Sequence, residues 1–163
     1  MTRKRRESRQ TELRFVSDFI AKFYPGRQVW TNLRIGAPHP SLVTPGMTPE
    51  EIRLTVGWKR RCDAVVQMPD RLVLIEGMIP ADPYHVARLE HYASLLPHTP
   101  ELQEWKHFPI EKVLVFPIED PIITQMCRKF DVRAVLYQPA WLSETLTSFP
   151  WRTQRGSKTW PEL

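Results

Sequence analysis

The chain has 163 residues, 42% of them hydrophobic, and a formal net charge of +5. That length is enough for one domain with a real core, and no apolar run is long enough to span a bilayer. The charged start MTRKRRESRQ lacks the apolar core of a secretory signal, and two cysteines, Cys62 and Cys127, make neither a disulfide framework nor a zinc-site spacing, so a reducing, intracellular setting is expected.

Residues 8–24 predict an amphipathic helix, because Leu13, Val16, Phe19, Ile20 and Phe23 recur at steps of three and four and Pro25-Gly26 stops the pattern. The segment RQVWTNLRIG alternates, which predicts a strand with Val29, Thr31, Leu33 and Ile35 facing one way. Residues 36–47 are a Pro/Gly-rich loop. Thr48-Pro49-Glu50-Glu51 reads as a helix start, with Thr48 as N-cap, Pro49 at the first helical position and Glu51 closing a capping box. That helix is short and ends near Gly57.

Residues 61–79, RCDAVVQMPDRLVLIEGMI, predict two short strands around a turn at Met68-Pro69-Asp70-Arg71. Asp82-Pro83 then opens a helix whose buried side takes Val86, Leu89, Tyr92 or Ala93, and Leu96, before Pro97 ends it. HTPELQEWKHFP is a connection and KVLVFPI a buried strand. Asp120-Pro121 repeats the cap-plus-proline device for a helix that buries Ile122, Ile123, Met126, Cys127 and Phe130. VRAVLYQ is the last strand, and Pro139-Ala140-Trp141 leads into a short helix and a basic tail. This order implies an α/β fold with a mixed sheet flanked by helices.

The chemistry concentrates in the hairpin. In its simplest register Gln67 faces Leu72, Val65 faces Leu74 and Asp63 faces Glu76, so both acids point to one face. Like charges directly opposed on a sheet destabilise it, and partial burial raises that cost unless a proton or a cation lies between them. A hard divalent ion such as Mg²⁺ suits two carboxylates with waters. The other reading pairs the acids with Lys59, Arg60 or Arg61 in the adjacent WKRRCD. The five histidines are scattered and give no zinc-ligand spacing, and no Gly-rich phosphate loop or nucleophile elbow is present.

An Asp opening the second core strand, LVLIEGM on the third and the αβββαβ order resemble the PD-(D/E)xK nuclease superfamily. The resemblance covers roughly 12–137 and matches Asp63 to the family aspartate and Glu76 to the acid of Glu-x-Lys. One branch carries Gln-x-x-x-Tyr on the following helix; here Arg88-Leu89-Glu90-His91-Tyr92 keeps Tyr92 and puts Arg88 in the glutamine position. Glu12 on the first helix matches a further metal-binding acid. The resemblance thus implies a restriction-endonuclease-like fold, Mg²⁺ held by Asp63, Glu76 and Glu12, and phosphodiester chemistry on DNA. The chain departs at the family's catalytic lysine, whose position holds Met78. Three possibilities follow: Lys59 or Arg88 supplies the missing cation, the metal alone supports slow cleavage, or the fold is kept for binding without catalysis, which the missing lysine favours.

The basicity lies at the ends. Residues 1–10 carry +4 and residues 151–163 carry +2, which leaves −1 for 11–150. Arg3, Lys4, Arg5, Arg6 and Arg9, with Arg152, Arg155 and Lys158, are therefore candidate phosphate contacts, or else charges that keep the chain soluble. Trp151 and Trp160 in that tail are candidate anchors on a partner protein, or cover for an apolar patch of their own domain. The expected layout is a basic arm over 1–10, the nuclease-like domain over 11–140 and a basic Trp-containing tail over 141–163. A nucleic-acid-associated component of an assembly such as a phage neck is the leading expectation, with a virion location if the chain is phage-encoded. An active Mg²⁺-dependent endonuclease and a metal-free protein adaptor are the alternatives, and a homo-oligomer is compatible with all three.

Overall fold

The computed structural model describes residues 3–38, 40–55, 60–79 and 82–142, with 3–9 and 40 as backbone alone. The elements run α1 (Arg3–Phe23), β1 (Val29–Arg34), α2 (Pro49–Thr55), β2 (Arg61–Gln67), β3 (Leu72–Gly77), α3 (Tyr84–Leu95), β4 (Ile110–Phe116), α4 (Pro121–Lys129) and β5 (Arg133–Leu136). This is the order expected from the sequence, an αβββαβ core with α2, α4 and β5 where the Thr48 and Asp120 caps and the last apolar segment predict them. One five-stranded sheet holds the strands in the order β1-β2-β3-β4-β5. β1, β2 and β3 are antiparallel neighbours, whereas β4 joins β3 and β5 joins β4 in parallel. The change of direction follows from the connections: a tight turn can join only antiparallel strands, and parallel ones need the crossovers that α3 and α4 provide.

The sheet separates two apolar clusters. Leu72, Leu74 and Met78 meet Val86, Leu89, Tyr92 and Leu96 of the α3 side, together with Ile123 and Cys127 of α4. On the opposite face Ala64, Val66, Val73, Ile75, Val113 and Val115 meet Phe15, Val16, Phe19 and Ile20 of α1. Every residue of β3 is buried, since helices cover both of its faces. Burying a side chain such as Leu74 or Ile75 is worth about 1.5–3 kcal/mol. Glu76 stands in the same strand with no exposure at all, and it is the residue whose burial needs compensation.

The local signals in the sequence act as expected. Glu51 N–H donates to Thr48 Oγ1 at 3.3 Å while Thr48 N–H donates to Glu51 Oε2 at 2.7 Å, a closed capping box. Asp120 Oδ1 accepts from the N–H groups of Ile122 and Ile123 at 3.0 and 3.3 Å. Val86, Leu89, Tyr92 and Leu96 are the buried side of the α3 segment.

Other expectations need correction. α1 starts at Arg3 rather than at residue 8, because the basic segment contains good helix formers even where it has no apolar stripe. Phe15 joins Val16, Phe19 and Ile20 in the core, while Leu13 and Phe23 are exposed. β1 does not alternate throughout. Val29 packs with the α1-side cluster, whereas Leu33 and Ile35 belong to the α3-side cluster and Thr31 is exposed. The cause is Asn32 at φ 52°, a left-handed conformation that asparagine tolerates better than most residues and that turns the strand over. On α4, Ile122 and Phe130 lie outside the core, and Ile123 and Cys127 carry the contact. The connection before β4 contains a 3-10 helix, Pro100–Trp105.

Candidate functional site

The hairpin register is the one expected: Ala64 pairs with Ile75, Val65 with Leu74, Val66 with Val73 and Gln67 with Leu72. Continued by one step, it sets Asp63 against Glu76. There the side chains take over from the ladder. Asp63 N–H donates to Glu76 Oε1 at 3.2 Å, and Gly77 N–H donates to Asp63 Oδ2 at 2.9 Å. The acids thus lie at the carboxyl end of β3, the end of a parallel strand where α/β folds place their sites.

The third member comes from α3. Arg88 forms an ion pair with Glu76 Oε2. Tyr92, one helical turn on, has its ring centroid 5.7 Å from the Arg88 guanidinium carbon. Burial, and then the charge of Asp63, push the Glu76 carboxyl up to about 8, while Arg88 and the Asp63 N–H pull it down. Burial works against the charge on Arg88 as well, but Glu76 and Asp63 outweigh it and hold its pKa above the ordinary value. Burial also raises the Tyr92 hydroxyl. Arg88 Nε is buried without a hydrogen-bond partner.

Two residues that sequence reasoning did not single out belong to this neighbourhood. His85, one turn before Arg88, has its pKa lowered by burial and then by Arg88, which keeps its imidazole neutral; its Nδ1 lies 3.3 Å from Asp82 O. Cys62 is fully buried, and burial followed by Glu76 and Asp63 pushes its thiol far up, so it is inert. The spacing of His85 from Arg88 on a helix was the available signal for the first. For Cys62 the signal was its adjacency to Asp63.

The structure brings Asp63, Glu76, Arg88 and Tyr92 into one neighbourhood. Glu12 is half-buried on α1, and among the described residues no group of three or more His, Cys, Asp or Glu side chains is set to hold a metal. Lys59 lies outside the described residues, as do Trp58 and Arg152, Arg155, Lys158, Trp151 and Trp160 of the tail. Arg3, Lys4, Arg5, Arg6 and Arg9 are on the first turns of α1, with their side chains outside the description.

The donor set does not fit a hydrated Mg²⁺ ion. Such an ion keeps several waters and needs an open carboxylate edge, but Glu76 has no exposure and both its oxygens are engaged. Met78, where the sequence resemblance expects a lysine, is fully buried in the α3-side cluster, and its Sδ accepts from Asp82 N–H at 3.0 Å.

A concavity of about 480 Å³ lies at the opposite end of the strands. Its charges are largely tied to one another: Glu111 bridges Arg71 at 2.7 Å and Arg133 at 3.0 Å, and Lys112 pairs with Glu90. This network fastens β4 and β5 to the hairpin turn.

No protein-family model matches the sequence, and no curated protein matches it. A solved structure to which the chain is similar is the crystal structure of a repair endonuclease from Pyrococcus abyssi, at 14% identity and a TM-score of 0.49. The match covers 77% of this chain and 46% of that one, so the chain spans less than half of its length.

Proposed function

We propose that this chain is a nucleic-acid-associated protein on a PD-(D/E)xK nuclease scaffold, with catalysis weakened or lost, acting as a structural component of a larger assembly such as a phage head–tail connector or neck. The observation that carries the loss of catalysis is the Glu76–Arg88 pair: the acid that would hold a metal is already neutralised by a side chain of the same chain. Burial of Met78 supports the same conclusion, because methionine can neither position a water nor offset charge on a phosphate. The +4 of residues 1–10 and the +2 of residues 151–163 support a role in holding nucleic acid phosphates. Trp151 and Trp160 suit anchoring on a partner protein of the assembly.

A second reading, Mg²⁺-dependent cleavage with a relocated basic residue, has one observation in its favour: a guanidinium does stand beside the acids. Incubation of supercoiled plasmid with the protein in Mg²⁺ or Mn²⁺ separates the two. The expected result is no nicking or linearisation. Cleavage that disappears in Asp63→Ala would establish the endonuclease instead.

A further inference from the structure

The Asp63–Glu76 pair calls for a proton or a cation beside it, and three facts bear on the cation. Glu76 is in the core with no exposure, so its charge cannot be met by solvent. The ion pair to Glu76 Oε2 comes from Arg88, which α3 places over the carboxyl end of β3. Arg88 Nε is buried there without an acceptor. A guanidinium that leaves a donor unsatisfied is not held by a full hydrogen-bond set; what holds it is its ion pair with Glu76, with the charge of Asp63 nearby. A divalent ion at the same carboxylates would face this fixed positive charge at contact distance. The two cations are mutually exclusive.

We propose that Arg88 is the resident cation of this site, standing in for a divalent ion between Asp63 and Glu76, so that a metal binds there only when the guanidinium is removed. The proposal does not require the nucleic-acid reading, since it concerns which cation the acids hold. It makes Arg88 a positioning residue that keeps two opposed carboxylates in one sheet. It also gives the substitution at the glutamine position of the motif a physical consequence: a neutral side chain there would leave the acids free for a metal, and an arginine does not.

The test is Mn²⁺ binding to the full chain, read from the loss of the free-ion electron paramagnetic resonance signal, with folding followed by circular dichroism. The unmodified protein is expected to show no binding that Asp63→Ala removes. Arg88→Gln is expected to gain at least about tenfold in Mn²⁺ affinity, and the gain should vanish in the Arg88→Gln, Asp63→Ala double variant. Asp63-dependent Mn²⁺ binding in the unmodified protein would overturn the proposal, as would a folded Arg88→Gln with no gain. Should Arg88→Gln fail to fold alone, refolding in millimolar Mn²⁺ decides. Recovery of the folded spectrum supports replacement of the guanidinium by the metal, and failure with and without Mn²⁺ counts against it. DNA retention is a separate measurement, so the nucleic-acid reading can fail while this result stands.

Discussion

Glu76 and Arg88 carry most of the electrostatic consequence at the scale of single residues. The Glu76 carboxyl is raised from its ordinary value of 4.5 to about 8. Between those values the folded chain holds a proton that the unfolded chain has released. The associated stability is therefore complete below pH about 4.5 and is lost as pH rises through about 8. Urea midpoints measured across that window should fall with rising pH, and Glu76→Gln should flatten the fall; an unchanged slope in that variant would assign it to other groups. Arg88→Ala leaves an acid with no exposure and no countercharge, and removing one partner of a buried pair typically costs about 3–5 kcal/mol. Denaturant titration should find that loss near pH 8, and a smaller one at acidic pH, where Glu76 is protonated in both forms.

Between elements, α1 packs closely on β3. A Cβ added to Gly77 would lie 2.3 Å from Val16 Cγ2, closer than packed atoms approach. Gly77 is thus a close-approach glycine, one residue beyond the buried acid, and its N–H also serves Asp63. Gly77→Ala should destabilise by about 1–3 kcal/mol, the usual cost of overpacking. Val16→Ala in the same chain should recover part of the loss, so a thermal-melt double-mutant cycle should be non-additive. The cap of α4 makes a simpler case. Asp120 accepts two backbone N–H groups ahead of Pro121, and Asp120→Ala should cost about 1 kcal/mol in the same melts.

For the molecule as a whole, the charge is at the ends and the body is near neutral. If the eight basic residues of the two termini contact phosphates, DNA retention should drop by at least about 10³-fold between 50 and 200 mM salt. Deleting residues 1–10 and 151–163 should abolish most of it. Absence of binding even at low salt would favour a protein adaptor, and binding that survives the deletions would move the contact to the body. Among the described residues no helix is long and apolar enough to cross a membrane.

The sequence by itself determined the local devices and the hairpin. The capping box at Thr48, the cap at Asp120, the buried stripe of α3 and the register that opposes Asp63 to Glu76 all depend on residues near one another in the chain, where spacing maps directly onto geometry. Only the tertiary structure decided which cation those acids meet. Arg88 was a candidate by its place in a motif, but the ion pair depends on how far α3 leans over the end of β3, and the packing of two apolar clusters sets that. The reversal of β1 at Asn32 and the exposure of Ile122 have the same origin. Each is set by contacts between segments distant in sequence, about which periodicity within one segment says nothing.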